Sequence, residues 1–278
     1  MSESDRGCYV YCVLRESADL SLSGLVGVAP GSDVTSVTYR GLSAIVSEVP
    51  LEEFGADALK GNLEDLEWLE RTARAHDAIL ARALSADAVV PLRLCTIFND
   101  VSGVRRMLER GREFLLDALD RLRCKAEWSV KLLADQKKIE AAAREHESGL
   151  AASPSSGGGE PTGRAFFARK KAERFMREQA RTIVESAAQR AHDRLRGEAA
   201  AATLLRPQNP ELSGRVGEMV LNGAYLVDRS RAEAFATVAQ ELAERDRRIG
   251  LELELGGPFA PYNFVPVQEV LAATEEPD

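Results

Sequence analysis

The sequence is poor in the residues that build reactive centres. Its 278 residues hold three histidines, four cysteines and two tryptophans. The histidines, His76, His146 and His192, lie far apart in the chain. No nucleophile and base stand at a spacing that would specify acyl or phosphoryl chemistry. None of Cys8, Cys12, Cys95 and Cys124 belongs to a C-x-x-C pair. On a strand, Cys8 and Cys12 would be roughly 13 Å apart, beyond disulfide reach. The thiols are expected to be free and no metal site is expected. Apolar runs of the ~20 residues that span a bilayer are missing, and the opening MSESDR lacks the basic-then-apolar layout of a secretory leader. A cytoplasmic protein without cofactor is expected. The net charge of −8 argues against nucleic acid or an anionic membrane as the main partner.

What is present suits a folded protein of two domains: 45% hydrophobic and 29% charged residues over a length that one core rarely serves. The stretch from Asn62 to Phe98 has the strongest local pattern. Asn62 is a suitable N-cap with Asp65 three residues on, and acidic residues precede basic ones along the helix that follows. Leu66, Leu69, Ala73, His76, Leu80 and Leu84 form an apolar stripe at helical spacing. After the turn at Ser85-Ala86-Asp87, residues 89–98 read as one strand bent at Pro91. His76 within the stripe and Arg93 within PLRLC are polar where apolar residues would be easier. They mark either a site or, on the structural reading, a hydrogen-bonded histidine and the outward member of a strand.

Upstream, CYVYCVL reads as a central strand covered on both faces. Residues 34–39 and 42–49 read as a hairpin turning at Arg40-Gly41, followed by a short helical turn from Leu51. Downstream, Asn99 or Asp100 caps a helix over 101–123, and residues 127–133 form a half-wet strand. A charged helix covers 135–147. ASPSSGGGEPTG, within 148–163, reads as a flexible loop, and its glycines lack the context of a phosphate-binding loop. A long helix over 164–196 carries Phe175, Met176, Ala180, Ile183, Ala187, Ala191 and Leu195 on one side. Arg169, Lys170 and Arg174 stand in its basic first half. Strands at 202–206 and 218–227, a helix capped near Ser230 and an alternating strand at Leu251, Leu253 and Leu255 complete the pattern. Gly256-Gly257-Pro258 is expected to break that last strand, and an acidic tail follows from Gln268. The fold class is α+β. A domain over 1–124 has a mixed sheet with helices, and one over 125–267 follows the βαββαβ order of a ferredoxin-like domain.

Five stretches, taken in order along nearly the whole chain, resemble the gas vesicle protein L/F family. They are YVY at 9–11, AVVPLRLCTIF at 88–98, EWSVKL at 127–132, MVLNGAYLVDR at 219–229 and GPFAPYNFV at 257–265. The helix LEDLEWLERTARAHDAIL matches as well. Cys95 stands where that family commonly has glycine, and Phe259-Ala260 replaces a more usual Trp-Pro. The resemblance implies a non-enzymatic minor component of gas vesicles, acting early in assembly. Its implied partners are the major gas vesicle shell protein, which is small and hydrophobic, and other accessory gas vesicle proteins. Candidate contacts are the basic helix face (Arg169, Lys170, Arg174), the strand edge at Leu251, Leu253 and Leu255, and Arg93. The competing reading is a ferredoxin-like ligand-sensing regulator, motivated by the strand order with His76 and Arg93.

Overall fold

The computed structural model describes residues 6–148, 163–207 and 217–265. The chain forms two compact units, Met1–Glu127 together with Pro258–Asp278, and Trp128–Gly257. Each has its own antiparallel sheet, so the class is mixed α+β.

In the first unit β1 (Arg6–Arg15), β2 (Val34–Tyr39), β3 (Leu42–Pro50) and β4 (Val90–Pro91) lie in the order β2-β3-β1-β4. A further short strand, β5 (Ile97–Phe98), also pairs with β1. β1 is central and buried from Cys8 to Leu14, which is why its residues are apolar on both alternating faces. The β2–β3 hairpin closes with Tyr39 opposite Leu42. Arg40 and Gly41 both take positive φ, 42° and 92°, as a two-residue turn compatible with strand twist requires.

Several local expectations are corrected. The long helix α3 (Leu66–Ala83) starts at Asp65, whose carboxylate accepts from the amides of Glu67 and Trp68. Asn62 instead ends the short helix α2 (Ala56–Asn62), which follows α1 (Leu51–Phe54), and its side chain donates to the Glu53 carbonyl. The buried stripe is Trp68, Thr72, His76, Ile79, Leu80 and Ala83, while Leu66 is 78% exposed. The tryptophan fixes the rotation of the helix, because its ring packs on Phe54 at 5.3 Å. The strand expected over 89–98 is two short pieces, β4 and β5, separated by a turn in which Cys95 adopts φ 61°. The helix expected over 101–123 is broken at Gly111 into α4 (Val101–Arg110), capped by Asp100, and α5 (Arg112–Leu122).

In the second unit β6 (Lys125–Ala134), β7 (Ala201–Leu204), β8 (Glu218–Asp228) and β9 (Leu251–Phe259) lie in the order β7-β8-β6-β9. Its α-helices among the described residues are α6 (Gln136–Ser148), α7 (Gly163–Glu198) and α8 (Ala232–Arg247). Ala180, Ala187, Ala191 and Leu195 of α7 are buried against Leu221, Tyr225 and Phe235, the small side chains allowing close approach. Phe175 is 51% exposed and lies off that stripe. A 3-10 turn over Arg229–Arg231 precedes α8, and Ser230 does not cap it. β9 runs through Gly256-Gly257-Pro258 rather than stopping there, with Gly257 at φ 129°. The loop expected over 148–163 falls almost wholly, and the acidic tail from Gln268 wholly, outside the described residues.

Gly223 belongs to β8 because of Tyr225. A Cβ on Gly223 would stand 2.7 Å from the Tyr225 ring, and that ring is fully buried, packed on Phe235 with its hydroxyl on His192 Nδ1 at 3.0 Å. Gly223→Ala is expected to lower stability by about 2 kcal/mol, read as an earlier urea midpoint. An unchanged midpoint would show that the ring can step aside.

Candidate functional site

The polar residues of the first unit converge on His76. α3 turns its ring into the core, where it is 1% exposed. Nδ1 is 3.0 Å from the Tyr9 hydroxyl and Nε2 is 2.8 Å from the Tyr262 hydroxyl. Tyr9 Oη in turn accepts from the Cys95 amide at 2.9 Å. A neutral imidazole has one donor and one acceptor nitrogen, so either tautomer satisfies both phenols. Burial pushes the His76 pKa down to about 4, against a smaller upward pull from the Leu92 carbonyl. Burial likewise raises the pKa values of Tyr9 and Tyr262. None of these groups is poised to carry protons near neutral pH. They form a closed, uncharged hydrogen-bond chain.

Tyr11, two residues along β1 from Tyr9, makes a parallel connection. Its hydroxyl accepts from the Val28 amide at 2.9 Å and bonds Ser47 Oγ at 2.7 Å. The segment between β1 and β2 is thereby stitched to the sheet. Burial raises the Cys8 thiol to about 11 and pushes Cys12 further up, so both stay as unreactive thiols. All four cysteines are free.

The GPFAPYNFV segment closes this unit. Tyr262 reaches His76, and the next residue, Asn263, donates from its backbone and side-chain nitrogens to Glu127 at 2.9 and 2.6 Å. Glu127 is 5% exposed; burial raises its pKa, and the two Asn263 bonds oppose that. Sequence reading singled out His76 but missed Tyr9 and Tyr262 as its partners and the separate Glu127–Asn263 pair. The signal available was a buried-looking acid in EWSVKL and two polar residues inside an apolar closing motif.

The other candidate residues lie on surfaces. Arg93 is exposed on the turn between β4 and β5, and its carbonyl accepts from the Thr96 amide and hydroxyl at 3.2 and 2.8 Å. It is not part of a strand. Leu251 is buried and Leu253 half-buried in the second core, so over residues 251–255 the surface of β9 is Glu252 and the 36%-exposed Leu255. Lys170, Lys171, Arg174 and Arg177 are exposed on α7, where Arg181 pairs with Glu185 at 2.7 Å. Arg169 lies on this helix, its side chain outside the described residues. Among the described residues no His, Cys, Asp and Glu cluster could hold a metal ion, and no helix is long and apolar enough to cross a membrane.

Known proteins resemble this chain along almost its whole length. It is 36% identical over 266 residues to gas vesicle protein L of Streptomyces sp. (strain CB03234), covering 96% of this chain and 95% of that protein. It is 25% identical over 271 residues to gas vesicle protein F2 of Halobacterium salinarum, covering 96% and 94%. In fold it is similar to the crystal structure of gas vesicle protein GvpF from Anabaena sp. PCC7120, with a TM-score of 0.66 at 18% identity over 94% of this chain and 96% of that one. The structure of GvpF from Microcystis aeruginosa gives 0.64 at 17% identity over 93% and 98%. The family model for gas vesicle synthesis protein GvpL/GvpF matches residues 7–266, and the chain belongs to that family.

Proposed function

We propose that this protein is a non-enzymatic assembly factor of gas vesicles, working in the cytoplasm and at the vesicle. In this reading it binds the small hydrophobic shell protein and other accessory gas vesicle proteins while the vesicle is nucleated and built. The observation that carries it is the family match over residues 7–266, which takes in both units. The chemistry of the chain agrees with a contact role. The buried polar cluster around His76 is internally satisfied, while exposed strand edges and a basic helix face remain for partners.

The second unit is read as ferredoxin-like. Counting from β6, its strands lie second-third-first-fourth across the sheet, with helices in both crossovers, an arrangement that supports βαββαβ topology. That fold is shared by many functions and assigns none by itself.

The test is co-purification of the tagged full chain with the shell protein, combined with deletion of the gene. Association and loss of vesicles are expected. No association, with vesicles forming normally in the deletion strain, overturns the proposal. Reversing the charge of Lys170 and Arg174 is expected to weaken the association if the basic face is used; unchanged association dismisses that face as the contact.

A further inference from the structure

The two outer edges of the second sheet are built differently. β9 carries Glu252 and Glu254 and, among the described residues, pairs with β6 alone. Charged residues of this kind protect an edge from adventitious pairing. At the other end of the sheet β7 reads AATL, preceded by Ala199-Ala200, and among the described residues it pairs with β8 alone. It has no charged side chain and no proline within it; the one irregularity is at its start, where the Ala200 amide donates at 2.8 Å to the carbonyl of Leu226, the residue opposite Ala201.

Its backbone orientation follows from its register. The Leu205 amide donates to the Asn222 carbonyl at 2.8 Å, in line with Thr203 opposite Ala224 and Ala201 opposite Leu226. Antiparallel pairs alternate between bonded and non-bonded. Ala202 and Leu204 therefore point their N–H and C=O groups away from β8, to the outer edge. Leu204 is 57% exposed.

Beside this edge lie two open cavities. One, of about 590 Å³, is bounded by β7 itself with His192 and Arg196 of α7. The other, of about 760 Å³, is lined by Val184, Met219 and Leu221 beside Leu204, and by the charged Arg181, Glu185 and Glu218. His192 is held in place by Tyr225 through Nδ1. Together they set outward-pointing strand N–H and C=O groups next to hollows that suit alternate side chains of an added strand.

The flanking charges select the occupant. Arg196 and Arg206 stand at the two ends of β7, both exposed, and neither has an ion pair among the described residues. A second copy would bring its own Arg196 and Arg206 against these, a like-charge juxtaposition that disfavours self-pairing. We propose that the outer edge of β7 accepts an extended segment of a partner protein, with apolar residues at alternate positions and an acidic residue at each end. This rests on the reading that the protein works through protein contacts, but it names a surface that reading does not need.

The test uses the full chain and a fluorescein-labelled peptide of about seven residues, alternating valine and threonine between terminal glutamates. A control peptide carries lysines at the ends. Fluorescence anisotropy is expected to show saturable binding of the acidic peptide, about tenfold tighter than the basic one. Arg196→Glu with Arg206→Glu is expected to reverse that order. Ala202→Pro removes an outward N–H but no bond to β8, and is expected to abolish binding. Hydrogen exchange should show protection of the Ala202 and Leu204 amides on peptide addition. Failure of both peptides to bind, an order unaffected by the charge reversal, or protection along Leu251–Phe259 instead would each overturn the proposal. The peptides contain no vesicle component, so such a failure leaves the shell-protein reading to its own pull-down.

Discussion

Replacing His76 by alanine is expected to lower stability by about 4 kcal/mol, the largest effect of any single substitution considered. Two mechanisms add. The change opens a cavity between β1 and α3, where His76 packs against the Tyr9 and Tyr11 rings at 5.7 and 5.5 Å. It also takes from the Tyr9 and Tyr262 hydroxyls the partner they share, leaving the buried Tyr9 hydroxyl with the Cys95 amide but no acceptor for its own proton, and an unsatisfied buried polar group costs about 1–3 kcal/mol. In a thermal melt this corresponds to a drop of roughly 10 °C. His76→Gln keeps one donor and one acceptor and should recover a large part of the loss. Tyr262→Phe removes one hydroxyl and leaves Tyr9 bonded, so its cost should be smaller than that of alanine at 76. Equal melting temperatures for wild type and His76→Ala would show that the chain of hydrogen bonds does not hold the unit together.

The elements that were legible in the sequence are those whose pattern is local. β1 announces itself by seven apolar residues in a row, and the hairpin by Arg40-Gly41, because two-residue turns need positive φ. What was not legible depends on partners distant in the chain. The start of α3 was placed at Asn62 because asparagine and aspartate cap equally well; Glu53 takes the Asn62 amide and leaves Asp65 to cap. The apolar stripe was set one residue off because Leu66 and Leu69 look more like core than Thr72 does, until the Trp68–Phe54 contact fixes the rotation. The turn inside 89–98 left one trace. Cys95 occupies a position where the family commonly has glycine, and its φ of 61° is the left-handed conformation that favours glycine. His76 was legible as an anomaly, but its partners lie 67 and 186 residues away, a separation that no spacing rule reaches. The surface candidates were legible as charge and alternation only. That pattern did not separate Leu251, which is core, from the exposed Glu252 and Leu255 of the same strand.

The same histidine is expected to make the protein sensitive to mild acid. A free imidazole titrates near 6.5, whereas burial holds His76 at about 4. Above pH 6.5 both folded and unfolded chains carry it neutral, and it contributes no pH dependence. Between 6.5 and 4 the unfolded chain takes up the proton and the folded chain does not, so stability falls as pH falls. By pH 4.5 the loss is about 2.5 kcal/mol. Glu127 works in the opposite sense. Its folded pKa is raised, so over the window just above the ordinary carboxylate value the folded state binds the proton more tightly, and acidification restores stability there. Asp77 and Asp246 are shifted upward by burial too and share that sign. A melt of the wild type alone would therefore mix these contributions. The difference between wild type and His76→Gln isolates the imidazole, since glutamine does not titrate and the carboxylates are common to both. Urea unfolding at pH 7.5 and pH 4.5 is expected to show the wild type losing about 2.5 kcal/mol more than the glutamine variant. Identical losses in the two proteins would mean that His76 can take up a proton inside the fold at little cost, and that the two phenols around it hold the imidazolium as readily as the neutral ring.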